Sequence, residues 1–510
     1  MSQLPAAIAE DGSWRRLSPR MLLIHPVREV GRFIPALAGL LLAGHSAGHD
    51  WWSLAALVLV MVLSVLRWFT TSYQITPAQV QVRTGLLRRR TLTTPTDRVR
   101  TVDVTAHALH RVLGLARVVI GTGSSDRKKE GLVLDGLAAP AAAALRAELL
   151  HRGATGPLGP AAVAGPGGGD DEQLLAVLDP SWVRFAPFTL SGVVSALAIV
   201  GVGWRAISQT NVDANRVGAI RSATDHLRHT AVWLDVIQVG LLALLVVVLL
   251  SVVGYVLAFW NFRLTRHRGG TLHIARGLIT SRATSISEHR LRGVELSQLL
   301  PLRGVHGARL QAITTGLRVG RGAERGGTLL LPACPEAAAV RTAAAVLPAV
   351  GPALRAELDR HGSRARYRRL VRATVPASGG WLLLLLWWWA GSLPVGWLLA
   401  GLVLPGAGVW LGHDRYRQLG HQLVPGYLIS QWGAANRRRV VLATDGIIGW
   451  NLQQSFFQRR AGLLSLHATT AAGRQSYPVS DLDPAAAVRL ADAACPGLLS
   501  QFLVSGEGKS

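Results

Sequence analysis

The sequence predicts a polytopic α-helical membrane protein with about six transmembrane helices in three pairs. Three soluble β-rich domains, each capped by a C-terminal helix, are predicted to follow the pairs. Three observations support this fold class. Hydrophobic residues make up 49% of the 510 residues and charged residues only 16%. The long apolar runs come in closely spaced pairs, and the segment after each pair repeats the same order of motifs. The length itself exceeds that of one ordinary domain.

The predicted transmembrane helices follow from the length of the apolar runs. A helix needs roughly 20 apolar residues to cross the hydrocarbon core of a bilayer. We place the first pair at 33–69, the second within 184–260 and the third at 379–412. The run 241–259 has no charged residue at all, a pattern that is rare in the core of soluble proteins.

The charge balance is strongly basic, with 54 Lys and Arg against 29 Asp and Glu. Such a balance is typical of proteins that meet nucleic acid or an anionic membrane surface. The apolar runs favour the membrane, so we expect no nucleic-acid partner. The two cysteines, Cys334 and Cys495, lie far apart, so we expect neither a disulfide framework nor a zinc site.

The distribution of arginine predicts the topology. The short loops inside the first and third pairs contain no Lys or Arg, whereas the N-terminal stretch and the segments between pairs are rich in Arg. Basic residues concentrate on the cytoplasmic side of membrane proteins. The loop 205–231, with four arginines, is an exception. We therefore expect a multi-pass protein of the cell membrane with both termini and all three domains in the cytoplasm.

The three soluble segments are copies of one module. Paired glycines have nearly constant spacings: 29 residues from Gly85 to Gly114, 30 from Gly277 to Gly307, and 29 from Gly433 to Gly462. Within each copy, apolar and polar residues alternate with period two, which predicts short antiparallel strands. Each copy ends in an alanine-rich helix that proline opens, at Pro140, Pro335 and Pro484. Asp483 is a natural N-cap of the last helix.

The predicted organisation has module 1 at 70–150, module 2 at 261–358 and module 3 at 413–498. The other segments are a basic N-terminus (1–32), a flexible Gly/Pro/Ala-rich linker (151–183), a basic linker (359–378) and a tail (499–510). The second transmembrane pair lies between the flexible linker and module 2, and the third pair precedes module 3.

These motifs resemble those of a known family. The motif pairs are "VRTGLLRRRT" with "RVLGLARVVIGTG", "IARGLITSRA" with "RGVHGARLQAITTG", and "QWGAANRRRV" with "RRAGLLSLHATT". They are similar to the bacterial membrane-flanked domain proteins of the YdbS/YdbT type, whose soluble part is pleckstrin-homology-like (PH-like). The resemblance implies β-sandwiches capped by a helix and brings no catalytic activity, cofactor or binding residues. The third copy departs most from the pattern.

Arginines near the glycine turns form a candidate face for anionic lipid or a partner. They are Arg88, Arg89, Arg90, Arg98 and Arg100 in module 1, Arg282, Arg290 and Arg292 in module 2, and Arg437, Arg438 and Arg439 in module 3. The simplest interpretation is a turn that faces solvent or lipid, and recognition of a specific headgroup is the alternative. Neighbouring strand residues point to opposite faces, so three consecutive arginines cannot form one flat patch.

A second basic feature, "RHGSRARYRRLVRA" at 360–373, lies immediately before the fifth predicted span. It fits either a topology determinant or a site for anionic headgroups, where each basic residue contributes about 1 kcal/mol. The topology interpretation is the simpler one, because every polytopic membrane protein needs such a signal.

No catalytic or metal-binding motif is recognisable, so we expect no enzyme activity, metal or cofactor. The sequence predicts a non-enzymatic membrane protein that presents three cytoplasmic modules as an interaction or assembly platform. Expected partners are the lipid bilayer, anionic lipid headgroups, and other membrane proteins or further copies of the chain. The alternative is a component of a transport or export system, for which Asp235, near the start of a predicted span, is a polar candidate.

Overall fold

The computed structural model describes residues 14–21, 69–76, 78–85, 89–96, 101–121, 132–154, 172–189, 232–267, 270–315, 328–391 and 394–499. This part of the chain forms two compact units. Unit 1 comprises the described residues up to Leu178 together with Leu257–Arg290, and unit 2 comprises Asp179–Val256 and Leu291 onward.

Unit 1 contains a four-stranded sheet, in the order β1-β2-β3-β4, and a seven-stranded sheet, in the order β7-β6-β5-β11-β10-β9-β8. All described pairings are antiparallel. The strands are β1 (Arg15–Arg16), β2 (Ser72–Ile75), β3 (Gln79–Thr84), β4 (Arg90–Pro95), β5 (Thr101–Ala106), β6 (Leu115–Gly121), β7 (Leu132–Ala138), β8 (Glu172–Val177), β9 (Arg263–His267), β10 (Thr271–Arg276) and β11 (Ser281–Ser287). The helices are α1 (Ala108–Val112) and α2 (Ala139–Ala154).

The core of module 1 lies between its two sheets and α2. The period-two pattern of β3 turns Val80 and Val82 inward, because alternate side chains of a strand share one face. They pack with Val118 of β6 and with Leu145 of α2, all of them fully or nearly fully buried. This is a β-sandwich whose open end is covered by the alanine-rich helix.

Unit 2 contains a six-stranded sheet, in the order β14-β13-β12-β17-β16-β15, and the three-stranded sheet β18-β19-β20. The strands are β12 (Leu291–Leu299), β13 (Gly307–Thr314), β14 (Leu329–Pro335), β15 (Gly420–Val424), β16 (Tyr427–Trp432), β17 (Asn436–Ala443), β18 (Ile447–Gln453), β19 (Leu464–Thr470) and β20 (Ser476–Leu482). The helices are α3 (Val232–Phe259, which ends in unit 1), α4 (Leu300–Gly304), α5 (Glu336–Val346), α6 (Val350–Arg355), α7 (Ser363–Trp389), α8 (Val395–Gly401), α9 (Val403–Arg417), α10 (Phe456–Arg460) and α11 (Pro484–Ala494).

The three modules share one order of elements. Three strands in one sheet are followed by a fourth strand in the next sheet, a five-residue helix, two more strands and a longer helix. The predicted N-cap of the last helix is confirmed, because the Asp483 side chain accepts a hydrogen bond from the Ala485 amide at 3.0 Å.

In each module a residue with left-handed backbone lies two residues after the end of the short helix. These residues are Gly114, His306 and Gly462, with φ of 66°, 55° and 65°. The equivalent of Gly114 in module 2 is thus His306, and not Gly307 as the sequence suggested. The distance from the first glycine of each module to the left-handed residue is therefore 29 residues in all three modules.

The strands of neighbouring modules share sheets. In unit 1, β5 of module 1 pairs with β11 of module 2. In unit 2, β12 of module 2 pairs with β17 of module 3. The first three strands of module 2 thus extend a sheet of module 1, and its last three extend a sheet of module 3.

The prediction of about six transmembrane helices in three pairs is wrong for this structure. The described chain is β-rich, with four sheets, and three helical segments are long and apolar enough to cross a membrane: Gly240–Phe259, Ser363–Trp389 and Val395–Arg417. The last two form a pair, in which Gly408 and Gly412 allow close contact with α7, as small residues do between membrane helices. The predicted spans at 33–69, apart from Phe69, and at 190–204 lie outside the described residues, as does the side chain of Asp235.

Residues 172–188 also differ from the prediction of a flexible linker followed by a membrane span. They form β8, which pairs with β9, and a 3-10 helix at Pro180–Phe188. Trp182 and Phe185 are buried there, and the 3-10 helix contacts β14 and α4 of module 2. The predicted basic linker 359–378 is mostly helical, because α7 begins at Ser363.

Candidate anion-binding cleft

Arg437, Arg438 and Arg439 lie in the middle of the six-stranded sheet. β17 has a neighbouring strand on each side, and all three side chains are half-buried. Arg437 donates from Nε to Gln298 Oε1 at 2.7 Å, and Arg439 donates to the Ala356 carbonyl. The three arginines thus lie on a strand, and not on the exposed turn that the sequence suggested.

Arg438 faces a buried carboxylate. Its Nε lies 3.7 Å from Glu295 Oε1, and Arg474 Nε lies 3.3 Å from Glu295 Oε2. Burial raises the pKa of Glu295, while the nearby Arg474 opposes that rise. Burial also lowers the pKa of Arg437 and Arg439. The three arginines of β17 thus stabilise the contact between modules 2 and 3, because each of them contacts a group of module 2.

The remaining predicted arginines are dispersed. Arg292 Nη1 lies 2.7 Å from Asp445 Oδ2 near the surface. Arg282 lies on β11, opposite Thr105 of module 1, and Arg290 ends a 3-10 turn. Arg89 is exposed just before β4, and Arg90 is the first residue of that strand. Arg88, Arg98 and Arg100 lie outside the described residues, so no shared face of the predicted arginines is visible.

A different group of arginines converges on one cleft of about 1250 Å³ in unit 2. The cleft lies between the first turns of α7 and the α10–β19–β20 part of module 3. Its lining includes five arginines and one carboxylate: Arg364, Arg368, Arg369, Arg372, Arg460 and Asp481. Five positive charges against one negative charge make it an anion-attracting site.

The helical spacing explains three of these positions. Arg364, Arg368 and Arg372 are four residues apart, and side chains at that spacing lie on the same face of a helix. They belong to the basic run before the fifth predicted span, for which the sequence left an anionic site open. Exposed Tyr367 and Val375, which also line the cleft, add an apolar margin to this face.

A capping box positions the opposite wall. Ser455 accepts a hydrogen bond from the Gln458 amide, and the Gln458 side chain accepts one from the Ser455 amide, which fixes the start of α10. α10 then places Phe457 and Arg460 at the cleft. Gln458 also donates from Nε2 to Asp481 Oδ1 at 2.9 Å, which ties α10 to β20.

Asp481 is the centre of the site, and it is 1% exposed. Its carboxylate accepts from Arg368 Nη1 and, at 2.5 Å, from Arg369 Nε. Arg368 Nε is buried and has no hydrogen-bond partner among the described residues. A buried donor without a partner is costly, and Arg368 is one of the residues that line the cleft.

Three cleft arginines have no described carboxylate partner. Arg364, Arg372 and Arg460 are exposed, and no ion pair joins them to another described residue. They are therefore available to a ligand, whereas Arg368 and Arg369 are held by Asp481. The sequence did not single out Arg460 or Asp481, because both come from parts of the chain about 90 residues or more beyond the basic run.

Comparison with known proteins adds the family. The family model of the bacterial PH domain matches residues 27–153 and 373–493, which overlap modules 1 and 3. No curated protein matches the chain, and no solved structure matches it. The YdbS/YdbT type stays a prediction. The sandwich fold and these two matches lead to one conclusion: the chain contains bacterial PH domains.

Proposed function

We propose that this chain is a non-enzymatic membrane protein whose third PH-like module binds an anionic lipid headgroup in the basic cleft. PH-like domains are binding and interaction modules, so the expected role as an interaction platform is retained. The observation that carries the proposal is the convergence of five arginines on one cleft: four lie in the first turns of α7, and Arg460 lies on α10. Beyond Arg372 this helix continues without charge to Trp389.

The position of the cleft favours a lipid as the source of the anion. The apolar part of α7 is long enough to enter a bilayer, and the arginines lie at the end from which it enters. Clusters of basic residues next to a membrane span attract anionic headgroups. The exposed apolar side chains of Val375 and Phe457 at the cleft can contact the first carbons of the acyl chains. A free phosphate would make no use of this apolar margin.

The test uses the full chain in nanodiscs of phosphatidylcholine, with phosphatidylglycerol as the anionic component. Native mass spectrometry would count the bound lipids. We expect retention of phosphatidylglycerol over phosphatidylcholine, and weaker retention in Arg364→Gln, Arg372→Gln and Arg460→Gln. Each substitution should weaken the binding free energy by about 1 kcal/mol, which corresponds to a roughly fivefold lower affinity.

The matched control is Arg459→Gln. Arg459 is exposed on the same short helix as Arg460 but does not line the cleft. Equal losses in Arg459→Gln and Arg460→Gln would show a general charge effect and contradict the proposal. Displacement of the lipid by millimolar inorganic phosphate would instead assign the cleft to a free phosphate.

A further inference from the structure

The two contacts between modules use the same strands in the same register. Ala106 of β5 lies eight residues before Gly114 and pairs with Ser281, four residues after Gly277. Gln298 of β12 lies eight residues before His306 and pairs with Arg437, four residues after Gly433. The module therefore has two complementary sheet edges, and the chain joins them twice.

One edge of each kind has no partner strand among the described residues. β4 of module 1 is the equivalent of β11 and β17, and among the described strands it pairs only with β3. β18 of module 3 is the equivalent of β5 and β12, and within the same part of the chain it pairs only with β19. A strand edge without a partner offers a row of backbone donors and acceptors to another chain.

The side chains of β18 are more exposed than those of β12, which has a partner strand. Leu296 and Leu452 occupy equivalent positions, ten residues before the left-handed residue of their modules. Leu296 is 3% exposed in the contact with β17, whereas Leu452 is 46% exposed. β18 also contains no charged residue and no proline, the features with which proteins protect an exposed edge.

Two equivalent glutamines, Gln298 and Gln454, show the same difference between the paired and the unpaired edge. Gln298 donates from Nε2 to the Gly307 carbonyl at 3.1 Å, and its Oε1 accepts from Arg437. The equivalent Gln454 donates from Nε2 to the Leu463 carbonyl at 2.9 Å, and no donor among the described residues reaches its Oε1. The residue equivalent to Arg437 is Arg89, which is exposed beside β4.

We propose that a second copy of this chain completes the series, with its β4 paired antiparallel to β18 of the first copy. In the register of the two internal contacts, Arg89 lies opposite Gln454, Thr91 opposite Leu452 and Leu92 opposite Asn451. The contact joins two different surfaces, so it is heterologous. It links copies head to tail, into a closed ring or an open filament.

The first test is disulfide cross-linking of the full chain in membranes, after Cys334→Ala and Cys495→Ala remove the native thiols. Thr91→Cys and Leu452→Cys are placed on two copies with different affinity tags. Directly opposed residues of antiparallel strands have Cβ atoms close enough for a disulfide. We expect a mixed-tag disulfide when both variants are present and none when either is alone. Thr91→Cys with Phe456→Cys is the control, since Phe456 is exposed on α10, off the edge.

Two outcomes would overturn the proposal. One is the absence of the mixed disulfide although a maleimide labels both cysteines in the folded chain. The other is a disulfide between two Thr91→Cys copies, which would indicate a symmetric contact. In a separate measurement, Leu452→Lys should shift the detergent-purified chain from oligomer to monomer in light scattering. Phe456→Lys should leave its mass unchanged, and an equal shift in both would also contradict head-to-tail pairing.

Discussion

Arg369 donates from Nε to Asp481 Oδ2 at 2.5 Å, which ties the first turns of α7 to β20 of module 3. Arg368 donates to the other oxygen of the same carboxylate. Asp481 has a left-handed φ of 61°, a conformation that Asp and Asn tolerate better than most residues. The apolar helix and the PH-like module are thus joined by one buried, doubly paired carboxylate.

We predict that Asp481→Asn destabilises the protein by about 3–5 kcal/mol, because it leaves two partly buried guanidinium groups without a carboxylate. Asparagine keeps the shape and tolerates the left-handed backbone, so the substitution isolates the charge. Urea unfolding in detergent, followed by tryptophan fluorescence, measures the effect.

The control for this prediction is Asp445→Asn. The ion pair of Asp445 with Arg292 lies near the surface, and such pairs contribute about 1 kcal/mol or less. Similar losses in the two variants would contradict the central role of Asp481.

The strands within each module could be predicted from sequence because their signals are local. Alternation around a proline turn marks β2 and β3, and the proline-led alanine-rich segments mark the final helices. The pairing of β5 with β11 could not be predicted, since about 180 residues separate Asp103 from Thr284 and no local pattern specifies which edges meet. Glycine identity also misled the alignment of module 2, where His306 takes the left-handed position.

The candidate cleft was visible only in part. The four-residue spacing of Arg364, Arg368 and Arg372 is a sequence signal for one basic helix face. Asp481 and Arg460 carry no such signal, because only the folding of module 3 against α7 brings them there. The arginine triplet at 437–439 is conspicuous in sequence, yet its side chains are used between modules 2 and 3.

We predict that Gly433→Ala is strongly destabilising. Gly433 has φ of 102°, and a Cβ there would lie 2.0 Å from the Asn436 carbonyl oxygen. Backbone strain of this kind alone costs roughly 1–3 kcal/mol, and the close contact adds to it. The free energy of unfolding in urea is the measurement.

Gly304→Ala is the matched control for Gly433→Ala. Gly304 ends the short helix α4, has no left-handed φ, and a Cβ there would meet nothing within 4 Å. It should leave the stability near that of the original chain. Equal effects of the two substitutions would argue against the strained turn.

We predict that stability falls between pH 6.5 and 4 because of His361. This residue is 5% exposed, and its Nε2 lies 2.9 Å from Nδ1 of His421. Burial, with His421 nearby, lowers the pKa of His361 to about 4, and burial also lowers that of His421. In the unfolded chain a histidine has a pKa near 6.5. Between pH 6.5 and 4 the unfolded state therefore binds more protons than the folded state. The stabilising effect of the neutral ring is therefore present above about pH 6.5 and is lost as the pH falls toward 4.

The difference between the folded and unfolded pKa of His361 sets the size of this effect. The free energy of unfolding should fall by at most about 3 kcal/mol. Urea unfolding at several pH values should show it, and His361→Gln should flatten the profile across this window. His289→Gln is the control, because His289 is exposed on the 288–290 turn. If the difference in unfolding free energy between the original chain and His361→Gln were constant from pH 4 to 7, the buried histidine would not be the source. A difference that shrinks as the pH falls is what burial of a neutral imidazole requires, since acid removes its advantage over glutamine.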